Sequence, residues 1–176
     1  MSPSQLTTAT ATLQLAAAVV IHKDQVLLVR RSKTEGFMPG VWGVPCGKLD
    51  PIDRSLEAAA VRELREETRL EGIVLAQAAS TEFRSIWQGQ PAINIQHNYL
   101  MKLTGIKPLG TPDVRPPLKD QDSKWVPVNR IDDAGLDEHN LRSVHHVLSV
   151  WSRPLGPADW CGRELSTAST SSSWRR

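Results

Sequence analysis

Cysteine is nearly missing from this chain, with two in 176 residues, Cys46 and Cys161. Neither has another Cys or a His at zinc-ligand spacing, which excludes a zinc site and a disulfide framework. Charge of one sign is missing as well: 21 Lys and Arg face 19 Asp and Glu, a net of +2. So small an excess, with a sequence pI of 8.7, suits an anionic small molecule and gives no footing for nucleic acid, which is not expected as a partner. Long apolar runs are absent too. The run at residues 15–21 has seven members, against the ~20 that cross a bilayer. No Lys or Arg precedes it, as a signal peptide would require. The expectation is a cytoplasmic protein with no membrane partner.

What remains is ordinary in bulk, 40% apolar and 23% charged, the balance of a soluble globular domain. Residues 1–13, rich in Ser, Thr and Ala, read as a flexible arm. Residues 14–153 read as one domain, and 154–176 as a disordered Ser- and Thr-rich tail. Residues 16–21 and 25–29 are β-rich and flank His22-Lys23-Asp24, which predicts a hairpin. Gly36, Pro39, Gly40, Gly43, Pro45 and Gly47 then exclude a helix and predict a shaped loop. From Ser55 to Leu70 there is neither Gly nor Pro, while Ala, Leu, Glu and Arg dominate, which predicts a helix. Strands are expected at 73–79, 93–103 and 125–128, and a long Pro- and Asp-rich loop at 105–124. Leu141, Val144, Val147, Leu148 and Trp151 predict a second helix over 139–151. Strands outnumber helices, so the class is α/β, with the helices on opposite faces of a mixed sheet as a three-layer α/β/α sandwich.

The first helix carries Glu63, Glu66 and Glu67 as i, i+3 and i+4 neighbours. Like charges so placed repel by a few tenths of a kcal/mol, more where they are partly buried. A hard divalent cation relieves that repulsion, since Mg²⁺ takes carboxylate oxygens and bridges them to phosphates. Taken alone, the pattern equally suits a charged surface helix laced with salt bridges.

The preceding loop changes the weighting. Gly47-Lys48-Leu49-Asp50 followed by Ser55 to Thr68, with its core Arg62-Glu63-Leu64-Arg65-Glu66-Glu67, resembles the box of the Nudix hydrolase family. That box runs Gly, five residues, Glu, seven residues, then Arg-Glu-aliphatic-any-Glu-Glu-any-Gly-aliphatic. Val26 to Arg31, Pro39 to Pro45 and Trp125 to Val128 also resemble family segments, in the same order. The resemblance implies Mg²⁺, with Mn²⁺ as the alternative, held by Glu63, Glu66, Glu67 and a backbone carbonyl at or near Gly47. Arg62 would position these carboxylates. The implied reaction is attack of water on a diphosphate of a small phosphorylated substrate, a nucleoside diphosphate derivative. Glu66 or Glu67 is the implied base, with Asp120 and Asp122 as candidates from a later loop. Arg84 is a candidate phosphate contact, and Trp42, Trp87 and Tyr99 are candidate stacking residues. The oligomeric state stays open, a homodimer included.

Three positions depart from the pattern. The segment between Gly47 and Arg62 is one residue longer than the pattern, so either Arg54 or Asp53 takes the place of the first box Glu. Arg69 stands where the box has Gly, and Gly72 is expected to end a slightly longer helix in its stead. Cys46 replaces a common Gly. It reads as a small buried residue, or, by resemblance to isopentenyl-diphosphate isomerase, as a nucleophile, although Lys48 stands where that enzyme has His. Arg54 and Arg69 motivate a second reading, a catalytically degenerate domain that senses a nucleotide.

Overall fold

A computed structural model describes residues 10–33, 39–106 and 122–152. The expected arm up to residue 9, the tail from 153 and Asp120 lie outside the described residues. The strands are β1 (Ala11–His22), β2 (Gln25–Arg30), β3 (Trp42–Gly43), β4 (Cys46–Lys48), β5 (Leu70–Gln77), β6 (Thr81–Trp87), β7 (Gln90–Ile106) and β8 (Ser123–Pro127). The helices are α1 (Leu56–Thr68) and α2 (Glu138–Trp151), with a 3-10 turn at Val128–Asp133. Among the described residues no helix is long and apolar enough to cross a membrane.

The sheet is mixed, as expected for the class. β1 and β7 pair in parallel from Ala11↔Ala92 to Val20↔Met101, and the other pairings are antiparallel. β1 is the spine, and its two ends have different partners. Leu15, Ala16 and Ala17 pair with β4, whereas Ile21 and His22 pair with β2 through a tight turn. Lys23 and Asp24 turn that corner at φ 48° and 56°, matching the twist of the flanking strands. The sheet therefore forks beside β1, and the loop from β3 to β4 occupies the fork.

Both faces of β1 are covered, which explains its unbroken apolar run. On one face Ala59, Ala60 and Leu64 of α1 pack against Ala16, Ala18, Val20, Tyr99 and Met101. On the other, Val144 and Val147 of α2 pack against Ala17, Val19, Val26, Leu28 and Leu100. Leu64 is fully buried, worth about 2 kcal/mol by area. The three layers of the sandwich follow from these two contacts. Four alanines meet where α1 crosses β1, so helix and sheet approach closely.

Several boundaries differ from the sequence reading. β1 begins at Ala11, inside the stretch expected as an arm. The shaped loop contains two short strands, β3 and β4, and β6 was not expected at all. The helix exit is the clearest correction. Gly72 does not end a longer helix; α1 stops at Thr68, and Arg69 itself adopts the left-handed conformation, φ 62°, with its N–H donating to the Arg65 carbonyl. Gly72 lies in β5, where an added Cβ would press on Leu64 and the Lys102 carbonyl. The box position is thus kept in backbone while an arginine occupies it. Arg69→Gly is expected to raise stability by about 1 kcal/mol, since only Gly adopts that conformation without steric penalty. Urea unfolding measures it, and an unchanged midpoint would show that the Arg69 side chain offsets its own strain.

Candidate active site

Ser55 starts α1, its hydroxyl accepting from Ala58 N–H at 3.1 Å, a cap that holds the helix against the loop after β4. That loop is itself tied: Asp50 N–H donates to the Asp53 carboxylate at 2.8 Å, and Asp53 N–H to the Asp50 carbonyl at 2.9 Å. The turn carries the extra residue outward, with Ile52 68% exposed, and points Asp53 inward. Arg62 then meets Asp53 and not Arg54. Its Nε donates to Asp53 Oδ1 at 3.0 Å, and Nη2 donates to Oδ2 at 2.8 Å. Arg54 is exposed. The two registers left open by sequence resolve in favour of Asp53.

Arg62 uses the rest of its fork on the acidic helix. Nη1 donates to Glu63 Oε1 at 2.6 Å and to Glu66 Oε2 at 3.0 Å, and Nη2 also donates to the Lys48 carbonyl at 3.0 Å. One guanidinium therefore holds three carboxylates and the box loop, which its planar fork can do and an ammonium cannot. The Arg62 hydrogen bond holds Asp53 below its ordinary carboxylate pKa. Glu63 moves the other way: burial raises its pKa, opposed by Arg62. The salt bridge keeps Arg62 charged at any ordinary pH, its pKa being raised chiefly by Asp53.

Gly47 makes the close approach possible. A methyl group on its Cα would overlap the Glu63 carboxylate, so only glycine lets that side chain lie against the strand. Glu67 lies one turn along, with Oε2 buried. It faces the fork and lines a narrow cleft with Arg31, Trp42, Cys46, Phe83, Gln96, His139 and Asn140. Arg31 Nη2 donates to the Cys46 carbonyl at 3.4 Å. Cys46 is 5% exposed and burial pushes its thiol well up, so it is a small buried residue and not a thiolate nucleophile.

The donor chemistry of this corner fits a divalent cation. It offers hard carboxylate oxygens at Glu63, Glu66 and Glu67 beside a glycine that leaves space for them. The side chains are not gathered as a ready ligand set, and among the described residues no three His, Cys, Asp or Glu stand together that way. Arg62 lies between Glu63 and Glu66 in this structure.

Other candidates disperse. Arg84 is exposed on β6, and strand alternation turns it away from the face on which Phe83 lines the cleft. The structure does not bring it to the box. Asp122 is exposed just before β8, its carbonyl accepting from Arg30 N–H at 2.8 Å. Tyr99 is buried at 3% exposure on the α1 side, out of reach of a ligand. Trp87 carries the Lys48 ammonium over its ring at 3.7 Å, and Trp42 carries that of Lys124 at 4.1 Å. Of the three aromatics, only Trp42 lines the cleft.

Sequence reasoning missed the polar floor of that cleft. Gln96 Oε1 accepts from the Cys46 thiol at 3.5 Å, and Gln96 Nε2 donates to Ser143 at 2.8 Å and Asn98 at 3.1 Å. Asn98 and Ser143 both reach Thr81, each at 3.0 Å. Asn94, Gln96 and Asn98 recur at every second position of β7. This polar stripe on an inward strand face was the available signal. Phe83 and His139 stack above the floor, ring centroids 3.9 Å apart.

The corner is thus an arginine-clamped acidic helix, entered through a glycine loop and packed on a mixed α/β sheet. The NUDIX domain model matches residues 12–147, and the chain belongs to the Nudix hydrolase family. It is 29% identical over 125 residues to the putative mutator protein MutT4 of Mycobacterium tuberculosis, covering 67% of this chain and 46% of that one. The chain thus spans about half the length of that curated relative. In fold it is similar to the MutT protein of Methanosarcina mazei Go1, with TM-score 0.63, 20% identity, and coverage of 82% of this chain and 98% of that one. It is also similar to the NUDIX domain of Shewanella oneidensis NrtR, solved with ADP-ribose, with TM-score 0.54, 20% identity, and coverage of 86% and 94%.

Proposed function

We propose that this chain is a divalent-metal-dependent pyrophosphohydrolase acting in the cytoplasm on a nucleoside diphosphate derivative. The observation that carries the reading is the Arg62 clamp on Asp53, Glu63 and Glu66, set against a glycine that admits Glu63. So much acid on one helix face, held in place and not dispersed to solvent, fits a site prepared for a cation and its phosphate partner. Glu63, Glu66 and Glu67, with the backbone carbonyl at Gly47, are the groups that would hold Mg²⁺ or Mn²⁺. Held by these groups, a cation would supply charge neutralisation at the phosphate oxygens and would lower the pKa of the attacking water. Arg62 orients Glu63 and Glu66 by its hydrogen bonds to both. Glu67, placed between helix and cleft, is the residue we assign to take the proton from water. Arg31 supplies positive charge at the cleft wall beside Glu67.

The alternative is a domain that binds a nucleotide without turnover. One observation favours it, that Arg62 stands between Glu63 and Glu66 where a cation would compete. Both readings meet in one experiment. Release of nucleoside monophosphate is measured from a panel of nucleoside diphosphate derivatives and triphosphates, with Mg²⁺ and with Mn²⁺, for the natural chain and for Glu67→Gln. Metal-dependent turnover that falls at least ~100-fold in the variant, with the fold intact by circular dichroism, is the expected result. Binding of a panel compound with no turnover in either metal would transfer the case to the sensor.

A further inference from the structure

The sheet face that carries α1 is only partly covered by it. Among the described residues, that face continues toward the start of β1 beyond the helix as an exposed patch built from three strands. Pairing register gives its rows. Gln14 of β1 lies beside Ile95 of β7, and Ile95 beside Glu82 of β6. One step on, Thr12 lies beside Ile93, and Ile93 beside Arg84. Directly paired residues share a face, so these six form a two-row block. Thr12, Gln14, Glu82 and Arg84 are exposed, and Ile93 and Ile95 are half-buried. Ile86, next outward on β6, is 63% exposed.

The two rows complement each other. Each contains a polar residue on β1, an isoleucine on β7 and a charge on β6, and the two charges have opposite sign. A two-fold axis lying in the plane of the patch, across the strands and between the rows, lays each row on the other row of a second copy. Gln14 then meets Thr12, Ile95 meets Ile93, and Glu82 meets Arg84, each contact occurring twice by symmetry. Self-complementarity of this kind is what an isologous contact requires. An arrangement against a different protein would give no reason for matching rows on this chain. The net charge of +2 puts little repulsion between copies.

We propose that this face is a homodimer interface, its occupant a second copy of the same chain in the two-fold register Glu82–Arg84, Ile95–Ile93. The proposal gives Arg84 a place that the catalytic corner does not, and it stands independently of the reaction assigned to that corner. Leu49, 44% exposed, follows β4 beside Gln14, its N–H donating to the Gln14 carbonyl at 3.3 Å. The interface therefore borders the loop whose Lys48 carbonyl receives Arg62.

Sedimentation equilibrium on the full chain tests it, with Glu82→Arg, Arg84→Glu and the double swap carrying both. The expected result is a dimer for the natural chain and at least ~10-fold weaker association for each single reversal, which sets like charges face to face. The double swap restores the opposed pair and should return association to within ~3-fold of the natural chain. Both positions are exposed on the strand, so the reversals leave the fold intact, and melting curves verify this. A natural chain that stays monomeric, single reversals that associate normally, or a double swap no better than the singles would each overturn the proposal.

Discussion

Arg62→Ala should unfold at a markedly lower temperature than the natural domain and should lose turnover entirely. The guanidinium is 17% exposed, Asp53 4% and Glu63 13%. Removing it strands two nearly buried carboxylates beside a third, and breaking a buried ion pair from one side costs about 3–5 kcal/mol. Glu66 is 25% exposed, and solvent screens its share, so about 2–3 kcal/mol is the expected loss. In a domain of this size that lowers the midpoint by roughly 5–10 °C. Arg62→Lys should recover little, because one ammonium cannot serve Asp53, Glu63, Glu66 and the Lys48 carbonyl at once. Differential scanning calorimetry makes the comparison. A variant melting within about 1 °C of the natural chain would mean the clamp contributes nothing net, as surface ion pairs often do.

Gly47→Ala is the second large effect, and it should separate stability from activity. The new methyl would occupy the space of the Glu63 carboxylate, and Glu63 can retreat only by giving up its 2.6 Å bond to Arg62. Overpacking of this size costs about 1–3 kcal/mol. Displacement of a positioned carboxylate by ~1 Å costs about 100-fold in rate. The expected outcome is therefore a folded protein, modestly destabilised, whose turnover has fallen about two orders of magnitude or more. Near-normal turnover would show that Glu63 need not lie against the strand when substrate is bound.

The sequence was most readable where one element satisfied one simple rule. Ser55 and the unbroken Ala, Leu and Glu pattern gave α1, and Lys23-Asp24 between two β-rich runs gave the hairpin. It was least readable where partners distant in sequence decide the conformation. Trp42 and Gly43 become a strand only because β2 is there to pair with them. β6 is hard to read because its outward residues are Glu82, Arg84 and Ile86, although Phe83 and Trp87 alternate with them and Gln88-Gly89 marks a hairpin turn. The extra box residue could not be placed because Asp50 and Asp53 settle it through a local turn, a geometry that spacing alone does not carry. At Arg69 the rule that left-handed residues are glycines points to Gly72. Tertiary packing of Leu64 against the strand instead fixed the exit three residues earlier, with an arginine bearing the strain.

The alanines at the crossing of α1 and β1 have one more consequence. Ala16, Ala18, Ala59 and Ala60 are each fully buried, and they are the thinnest chiral residues available. They work as shims between two plates: their thickness sets how high the helix rides above the strand, and so how far the Glu63 carboxylate reaches toward Gly47. The placement of that carboxylate is then calibrated by methyl groups that carry no charge of their own. The least chemically expressive residues of the chain act as its gauge blocks.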